Sequence, residues 1–265
     1  MSANNLPTGT PNSWPIMADI IVAVPAHDEQ ETIGAGIAAI WASVRFAIAA
    51  GRVDRVIVAV SAHRCTDRTE EVARAALMAG AAGSAGASWR LDIDGTSVTV
   101  GDVRAALIAG AAGDLPAAAD SWVFNTDADS LVPTGWITEL LAAAVTRSVT
   151  AVAGLVTLSG WTASEAARQR YRELIDAGLT STGHRHVYGA NLAVRWDVYR
   201  AVGGFHGMPH GEDTQLMNRI RSAGHPVASV FQPVVITSGR VPGRATDGLG
   251  YLLGTLASDD ETVDV

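Results

Sequence analysis

Trp122-Val-Phe-Asn-Thr-Asp127-Ala-Asp129-Ser130 passes abruptly from an apolar, β-prone run to two carboxylates one residue apart. Ser121 to Phe124 is too short for a helix and has the composition of a strand buried in a parallel sheet. In open α/β sheets, ligands sit at the carboxyl ends of the strands. That places Asp127 and Asp129 at the mouth of a crevice. Two acids at i and i+2 on a turning chain can face one hard cation. Mg²⁺ or Mn²⁺ takes one or two protein carboxylates, and substrate phosphates with waters complete the shell. The pattern therefore points to a metal site that holds a nucleotide diphosphate. A plain turn is the alternative, since Pro133 and Gly135 follow closely.

Upstream, apolar runs alternate with helical patterns. Ile20 to Val24 reads as a first buried strand, ended by the loop Pro25-Ala-His-Asp-Glu29. Thr32 opens a helix to about Ala50, with Ile33, Ile37, Ile40, Trp41 and Val44 at helical spacing, and Gly51 closes it. Val56 to Val60 is a second strand. Its loop, Ser61 to Thr66, leads to Asp67, which with Glu70 has the form of a capping box for a helix to about Met78. Trp89 to Leu91 is a short third strand, Gly101 to Ala112 a helix, and Pro133 to Val145 a helix with Pro in its first turn. This β-α alternation with short connections predicts a parallel, doubly wound sheet.

The chain of 265 residues is long enough for a substantial core, being 48% hydrophobic and 17% charged. Every basic residue is Arg, and the net charge is −8. No Arg-rich stripe interrupts this acidity, which argues against nucleic acid or an anionic membrane as the main partner. A single cysteine, Cys65, excludes an intrachain disulfide and fits a reducing compartment. Residues 1–17 are polar, lack the apolar centre of a signal peptide and read as a disordered leader. The long apolar stretch Leu140 to Leu158 is broken by Arg147 and Ser148, so no transmembrane segment is expected. A soluble cytoplasmic protein is the expectation, with peripheral membrane contact left open.

Beyond Thr150 the alternation loosens. Ala151 to Leu158 is strand-like, and Ser164 to Ala177 is a charged helix. Leu192 to Arg195, then a short helix around Trp196 to Val202, precede the break Gly203-Gly204-Phe205. Glu212 and Asp213 stand at the start of a helix to about Ala223, and Val227 to Val230 and Val234 to Thr237 look like two short strands. With no internal repeat and no long linker, residues 18–150 and 151–257 read as two halves of one domain, followed by an acidic tail, 258–265.

Polar residues end four of these segments: His27, Asp28 and Glu29; His63, Arg64 and Asp67; Asp127 and Asp129; Glu212 and Asp213. Loops at one edge of a parallel sheet converge. So many carboxylates in one crevice repel one another, unless a cation and a ligand relieve them.

The same segments, in order and spacing, resemble a family 2 glycosyltransferase. They are Val24-Pro-Ala-His-Asp-Glu29, Cys65-Thr-Asp-Arg-Thr69, Gly101-Asp-Val-Arg104, Asp127-Ala-Asp129, Gly189-Ala-Asn-Leu-Ala-Val-Arg195, Gly203-Gly-Phe205 and Gly211-Glu-Asp-Thr-Gln-Leu216. The resemblance covers about residues 19–236. It implies a GT-A fold with a mostly parallel, Rossmann-like central sheet flanked by helices. It further implies a nucleotide-diphosphate-sugar donor and a divalent cation, Mn²⁺ or Mg²⁺.

Carried over residue by residue, the resemblance gives Pro25 and Glu29 to the loop that cradles the nucleoside, with Glu29 for ribose hydroxyls. Asp67 matches the final acid of the second-strand loop, and Arg104 a basic residue near the donor. Asp127 would contact the sugar or ribose side, and Asp129 the metal and diphosphate. Glu212 and Asp213 match the acidic pair on the acceptor side, Asp213 being the general base of a transfer that inverts the anomeric centre. The family usually carries an acidic pair where this chain has Ala62 and His63, so the nucleobase stays open.

Other readings compete. A nucleotidyltransferase of sugar phosphates would want a Gly-rich, basic loop after the first strand, which Pro25 to Glu29 is not. A non-catalytic sugar-nucleotide-binding protein is the third. The acceptor is an unknown hydroxyl. The loops Thr180 to His186 and Gly239 to Gly248 fall on its side, and Arg240 and Arg244 could meet an anionic one. His63, His184, His186 and His210 are lone loop histidines, more often solvated than functional. Asn191 could form a turn or touch the acceptor, and Trp161 could stack on a sugar or pack in the core.

Overall fold

The computed structural model describes residues 18–114, 121–243 and 248–258. The leader, Arg244 and the tail beyond Ser258 lie outside the described residues.

Seven strands form one sheet in the order β3-β2-β1-β4-β6-β5-β7. They are β1 (Ala18–Ala26), β2 (Val53–His63), β3 (Ala87–Asp94), β4 (Trp122–Asn125), β5 (Ala151–Ser159), β6 (Leu192–Arg195) and β7 (Val227–Ser238). The helices are α1 (Ile33–Ala49), α2 (Thr69–Ala81), α3 (Val100–Ala112), α4 (Trp136–Thr146), α5 (Glu165–Ala177), α6 (Trp196–Ala201), α7 (Glu212–Ser222) and α8 (Leu249–Ser258). β1, β2, β3 and β4 pair in parallel, as their continuous apolar runs demand when both faces are covered. Alternate residues of β1 enter two separate cores. Ile20, Val22 and Val24 meet Trp41 and Trp136 on one face, while Ile21 and Ala23 meet Leu107, Ile108 and Leu216 on the other.

The sheet is mixed rather than wholly parallel. β6 runs antiparallel to both β4 and β5, and β5 pairs in parallel with β7. The carboxyl ends of all strands except β6 therefore share one edge, and β6 brings its amino end, with Gly189 to Asn191 before it, to that same edge.

Boundaries differ from the sequence-based expectation at several points. The two short strands expected near residue 230 are one. The pairing of β7 with β5 jumps from Gly154↔Val230 to Leu155↔Val234, which leaves Phe231, Gln232 and Pro233 as a bulge. Pro233 has no N–H for the ladder, so it sits where the ladder is interrupted. α4 begins at Trp136, and Pro133 lies before it, its carbonyl accepting from Trp136 N at 2.9 Å. β3 extends to Asp94. Asp67 is not the N-cap of a capping box with Glu70; Glu70 pairs with Arg74 instead. The capping box is on α3, between Thr99 and Asp102. α8 was not expected; it packs on α5, where Arg170 donates to the Leu256 carbonyl at 2.6 Å.

Candidate active site

The loops that leave β1, β4 and β7 meet at the shared edge, joined by the start of α7 and the approach to β6. Two arginines organise the acids there.

Arg104, one turn into α3, is 2% exposed. Its guanidinium donates to Asp127 Oδ1 and lies 3.5 Å from Glu212 Oε1. The ring of Phe205 is under it, 5.6 Å from the guanidinium carbon. A buried guanidinium is tolerated only with partners of this kind. Gly189 makes the room: a Cβ there would stand 2.7 Å from Arg104 Nη2. Its N–H donates to Asp213 Oδ2 at 2.7 Å. The antiparallel strand β6 thus serves the site, because it delivers this N–H to the acid on α7. Burial pushes the Asp213 carboxyl above the usual carboxylate range, against backbone N–H groups and Arg104 that favour the ion. Burial raises Glu212 likewise. Gly211, at φ 76°, is the left-handed residue that turns the chain into α7 and so aims both acids.

Arg240, two residues past β7, forms a two-pronged pair with Glu29, Nη2 to Oε1 at 2.6 Å and Nη1 to Oε2 at 3.1 Å. Asp129 Oδ2 lies 3.7 Å from the same Nη2. The other Asp129 oxygen has only long contacts, 3.4 Å to Thr237 Oγ1 and 3.5 Å to Ser130 Oγ. Burial, with the nearby charges of Asp127 and Glu29, pushes Asp129 up to about 7. An acid so weakly compensated costs stability when ionised. Its folded-state value lies above its unfolded one, near 4, so the penalty is absent below that value, grows as pH rises towards 7 and is complete above. Asp129→Asn is therefore expected to stabilise the ligand-free protein by roughly 2–4 kcal/mol at pH 8 and by less than about 1 kcal/mol at pH 4.5. Thermal denaturation at the two pH values checks this; equal shifts at both would contradict it.

Asp127 and Asp129 thus differ in their surroundings. Asp127 is held by Arg104, whereas Asp129 has one oxygen near Arg240 and one with long contacts only. One carboxylate with open ligand positions suits a divalent ion that substrate phosphates help to bind. A different trio, Asp28, Cys65 and Asp67, brings ligand atoms within 4.8 Å of one another. Its acids are engaged in fastening loops: Asp28 accepts from Thr66 N at 2.7 Å, and Asp67 from Thr69 N at 2.9 Å and Gln30 N at 3.1 Å. Asp67 therefore clasps the β1 loop to the β2 loop. The residues flanking this clasp, Asp28 at φ 52° and Arg64 at φ 47°, sit in the left-handed region that most side chains avoid.

No single protein sequence in the curated set matches the chain. A family profile does, over residues 18–246, and its description is Glycosyltransferase like family 2. The chain belongs to that family. Solved structures share its GT-A arrangement of sheet and helices. One is a mannosyltransferase from Pyrobaculum calidifontis, in complex with GDP-Man and Mn²⁺, at 18% identity and a TM-score of 0.58, matching 87% of this chain and 61% of that one. S. aureus TarS, in complex with UDP-GlcNAc, matches at 10% identity and 0.57, over 93% and 68%. Glucosyl-3-phosphoglycerate synthase from Mycobacterium tuberculosis, with Mn²⁺, UDP-Glc and phosphoglyceric acid, matches at 18% and 0.54, over 90% and 77%. The chain spans 61% of the length of the mannosyltransferase.

Within this family 2 glycosyltransferase framework, the residues singled out in the sequence separate into groups. Glu29, Arg104, Asp127, Asp129, Glu212 and Asp213 fall in one connected cluster, and Pro25 pairs near the end of β1, opposite Ser61 of β2. Asn191 proves to be a buried bracket: it accepts from Trp136 Nε1 at 2.9 Å and donates to the Leu155 and Pro233 carbonyls, each at 2.8 Å. His184 and His186 spend ring nitrogens on the backbone carbonyls of His186, Val230 and Ile175. His210 is exposed. His63 faces Asp94 at the end of β3, 3.6 Å away. Arg240 was placed on the acceptor side from sequence; its guanidinium is instead on Glu29 and Asp129. The signal was present, since any residue just past a parallel strand belongs at this edge. No helix among the described residues is long and apolar enough to cross a membrane.

Proposed function

We propose that this protein transfers a glycosyl group from a nucleoside-diphosphate sugar to an acceptor hydroxyl with a divalent cation, Mn²⁺ or Mg²⁺. The observation that carries this reading is the undercompensated Asp129 at the same sheet edge as Asp213. Asp127 acts electrostatically on both. A cation at Asp129 would act as a Lewis acid on the departing diphosphate. Solved relatives with Mn²⁺ and a sugar nucleotide support that assignment.

The chain's own residues supply the rest. Glu29 and the β1 loop receive the nucleoside, and residues 18–150 form the donor half. Asp127, fixed by Arg104, faces the sugar. In the acceptor half, residues 151–257, Asp213 takes the proton of the attacking hydroxyl; its raised basicity suits a group that must accept a proton near neutral pH. The N–H of Gly189 steadies its ionised form. If Asp213 stands opposite the leaving group, one displacement inverts the anomeric carbon, as the family resemblance implies.

The relatives carry different nucleotides, so the donor is found by trial. Incubation with UDP-, GDP-, TDP- and CDP-sugars, with Mn²⁺ or with chelator, is expected to release a nucleoside diphosphate from one class of donor only when metal is present. Metal-independent release, or release of pyrophosphate from a nucleoside triphosphate and a sugar phosphate, would contradict the proposal. The second result would mark a nucleotidyltransferase.

A further inference from the structure

Arg240 occupies both groups that the donor reading gives to a ligand. Glu29 and Asp129 stand on different loops, after β1 and after β4, and the guanidinium reaches both. Nη2 donates to Glu29 Oε1 at 2.6 Å and Nη1 to Oε2 at 3.1 Å, so both oxygens of Glu29 are engaged. Thr32 Oγ1 donates to the same Oε2 at 2.8 Å. Asp129 Oδ2 lies 3.7 Å from Nη2, a looser contact. A fixed positive charge thus stands beside the carboxylate that the proposed cation needs.

The strap that carries Arg240, residues 239–243 between β7 and α8, is held by close backbone packing. A Cβ on Gly239 would meet the Trp161 Cβ at 2.5 Å. One on Gly250, in α8, would meet the Gly243 Cα at 2.4 Å and the Arg240 carbonyl oxygen at 3.0 Å. Arg240 N donates to Ser238 Oγ at 3.2 Å. With the backbone held on both sides, the freedom to move belongs to the side chain. That side chain is 31% exposed, so the guanidinium has a way into water. Its Nε is buried with no hydrogen-bond partner among the described residues, so the docked form leaves a donor unmade and is the easier to exchange.

A bare divalent cation at Asp129 would meet the guanidinium at close range, and like charges repel strongly in a partly buried site. A nucleoside alone would meet a Glu29 with both oxygens occupied. Neither replaces both contacts of Arg240. A cation that arrives with a nucleoside diphosphate does: ribose hydroxyls can donate to Glu29, the cation takes Asp129, and the diphosphate brings negative charge of its own. We infer that Arg240 is a latch on the donor end, which makes the site select a cation paired with a nucleoside diphosphate over the bare cation. This rests on the glycosyl-transfer reading above and adds a specificity-determining residue to it.

The test is the binding of Mn²⁺ alone to the full chain, followed by the electron paramagnetic resonance signal of free Mn²⁺. Arg240→Gln removes the charge and is expected to tighten Mn²⁺ binding about tenfold. Arg240→Met, which keeps the stem, is a second neutral variant and should do the same. Arg240→Lys keeps the charge but not the two-pronged pair, and should stay within about threefold of wild type. Arg45→Gln removes the same charge about 18 Å along α1 from its first residue, and should leave Mn²⁺ binding unchanged. Adding Asp129→Asn to Arg240→Gln should abolish the gain. Thermal denaturation of the same samples shows that each variant is folded. Neutral variants that bind Mn²⁺ no more tightly than wild type overturn the inference, whether all forms bind or none does. So does an equal gain in Arg240→Lys, which would put the effect in the packing of the strap, or in Arg45→Gln, which would put it in net charge. Titration of UDP, GDP, TDP and CDP with Mn²⁺ into the wild type separates the two levels. Binding of one of them with no gain in the neutral variants removes the latch and leaves the donor reading standing; binding of none removes the donor reading itself.

Discussion

Asp213→Asn is expected to lower kcat by about 10²–10⁴-fold, the usual worth of a positioned general base, while nucleotide affinity stays within a factor of about two. The split follows from where Asp213 sits. Its oxygens accept backbone N–H groups from Gly189 and Thr214, and it has no contact with Glu29 or Asp129, at the donor end. Asn keeps the shape and one acceptor oxygen, so the start of α7 should hold, but the amide cannot take a proton. Steady-state kinetics with the preferred donor, alongside nucleotide titration, gives both quantities. A kcat within about threefold of wild type would remove Asp213 from the role of base. A fall in nucleotide affinity as large as the fall in kcat would show that it supports the donor instead.

The second large effect is on stability. Arg104→Met is expected to cost about 3–5 kcal/mol, the range for removing one partner of a buried ion pair. Met keeps much of the packing over Phe205 but leaves Asp127, Glu212 and Asp213 without their shared cation. The loss should depend on pH in a fixed direction. Without Arg104, the folded-state pKa values of Glu212 and Asp213 rise still further above their unfolded values. The folded state then favours their protonated forms, so the variant is least penalised at low pH and loses stability as pH rises. Denaturant unfolding at pH 5 and pH 8 measures this; the deficit should be larger at pH 8. Asp127 is a third exposed and relieves itself in water. Arg104→Met/Glu212→Gln should therefore recover part of the loss. A deficit that does not vary with pH would mean that Arg104 matters for its volume and not its charge.

Much of this architecture could be read in the chain because its local signals agree. Continuous apolar runs in β1, β2 and β4, each followed by a helical pattern, leave little choice but parallel strands with covered faces. The acids after β4 and at the start of α7 were visible because abrupt changes from apolar to charged residues mark strand ends and helix starts. The direction of β6 was not legible. Four residues carry no orientation signal, and the polar segment before them resembles any loop. The unity of β7 was hidden by Pro233, which reads as a strand breaker but sits in a bulge.

Asp67 was misread for a different reason. Its spacing to Glu70 mimics a capping box, while its actual partners, Thr69 and Gln30, lie partly on another loop. The burial of Arg104 and its pairing with Asp127 and Glu212 were not legible, because they depend on tertiary packing. A sharper reading was available. α3 is almost wholly apolar, and a guanidinium one turn into such a helix must find buried acids. Arg240 could not be tied to Glu29, 211 positions away, before the edge shared by β1 and β7 was known.

The central claim is that Asp129 and a divalent cation together hold the donor's diphosphate. Isothermal titration of the preferred nucleoside diphosphate into wild type and Asp129→Asn, each with Mn²⁺ and with chelator, tests it most directly. Binding is expected only in the wild type with Mn²⁺, and at least about 100-fold weaker in the other three cases, in line with the loss of a first metal ligand and its charge. Equal affinity with chelator, or an Asp129→Asn variant that binds as tightly as wild type with Mn²⁺, would contradict it.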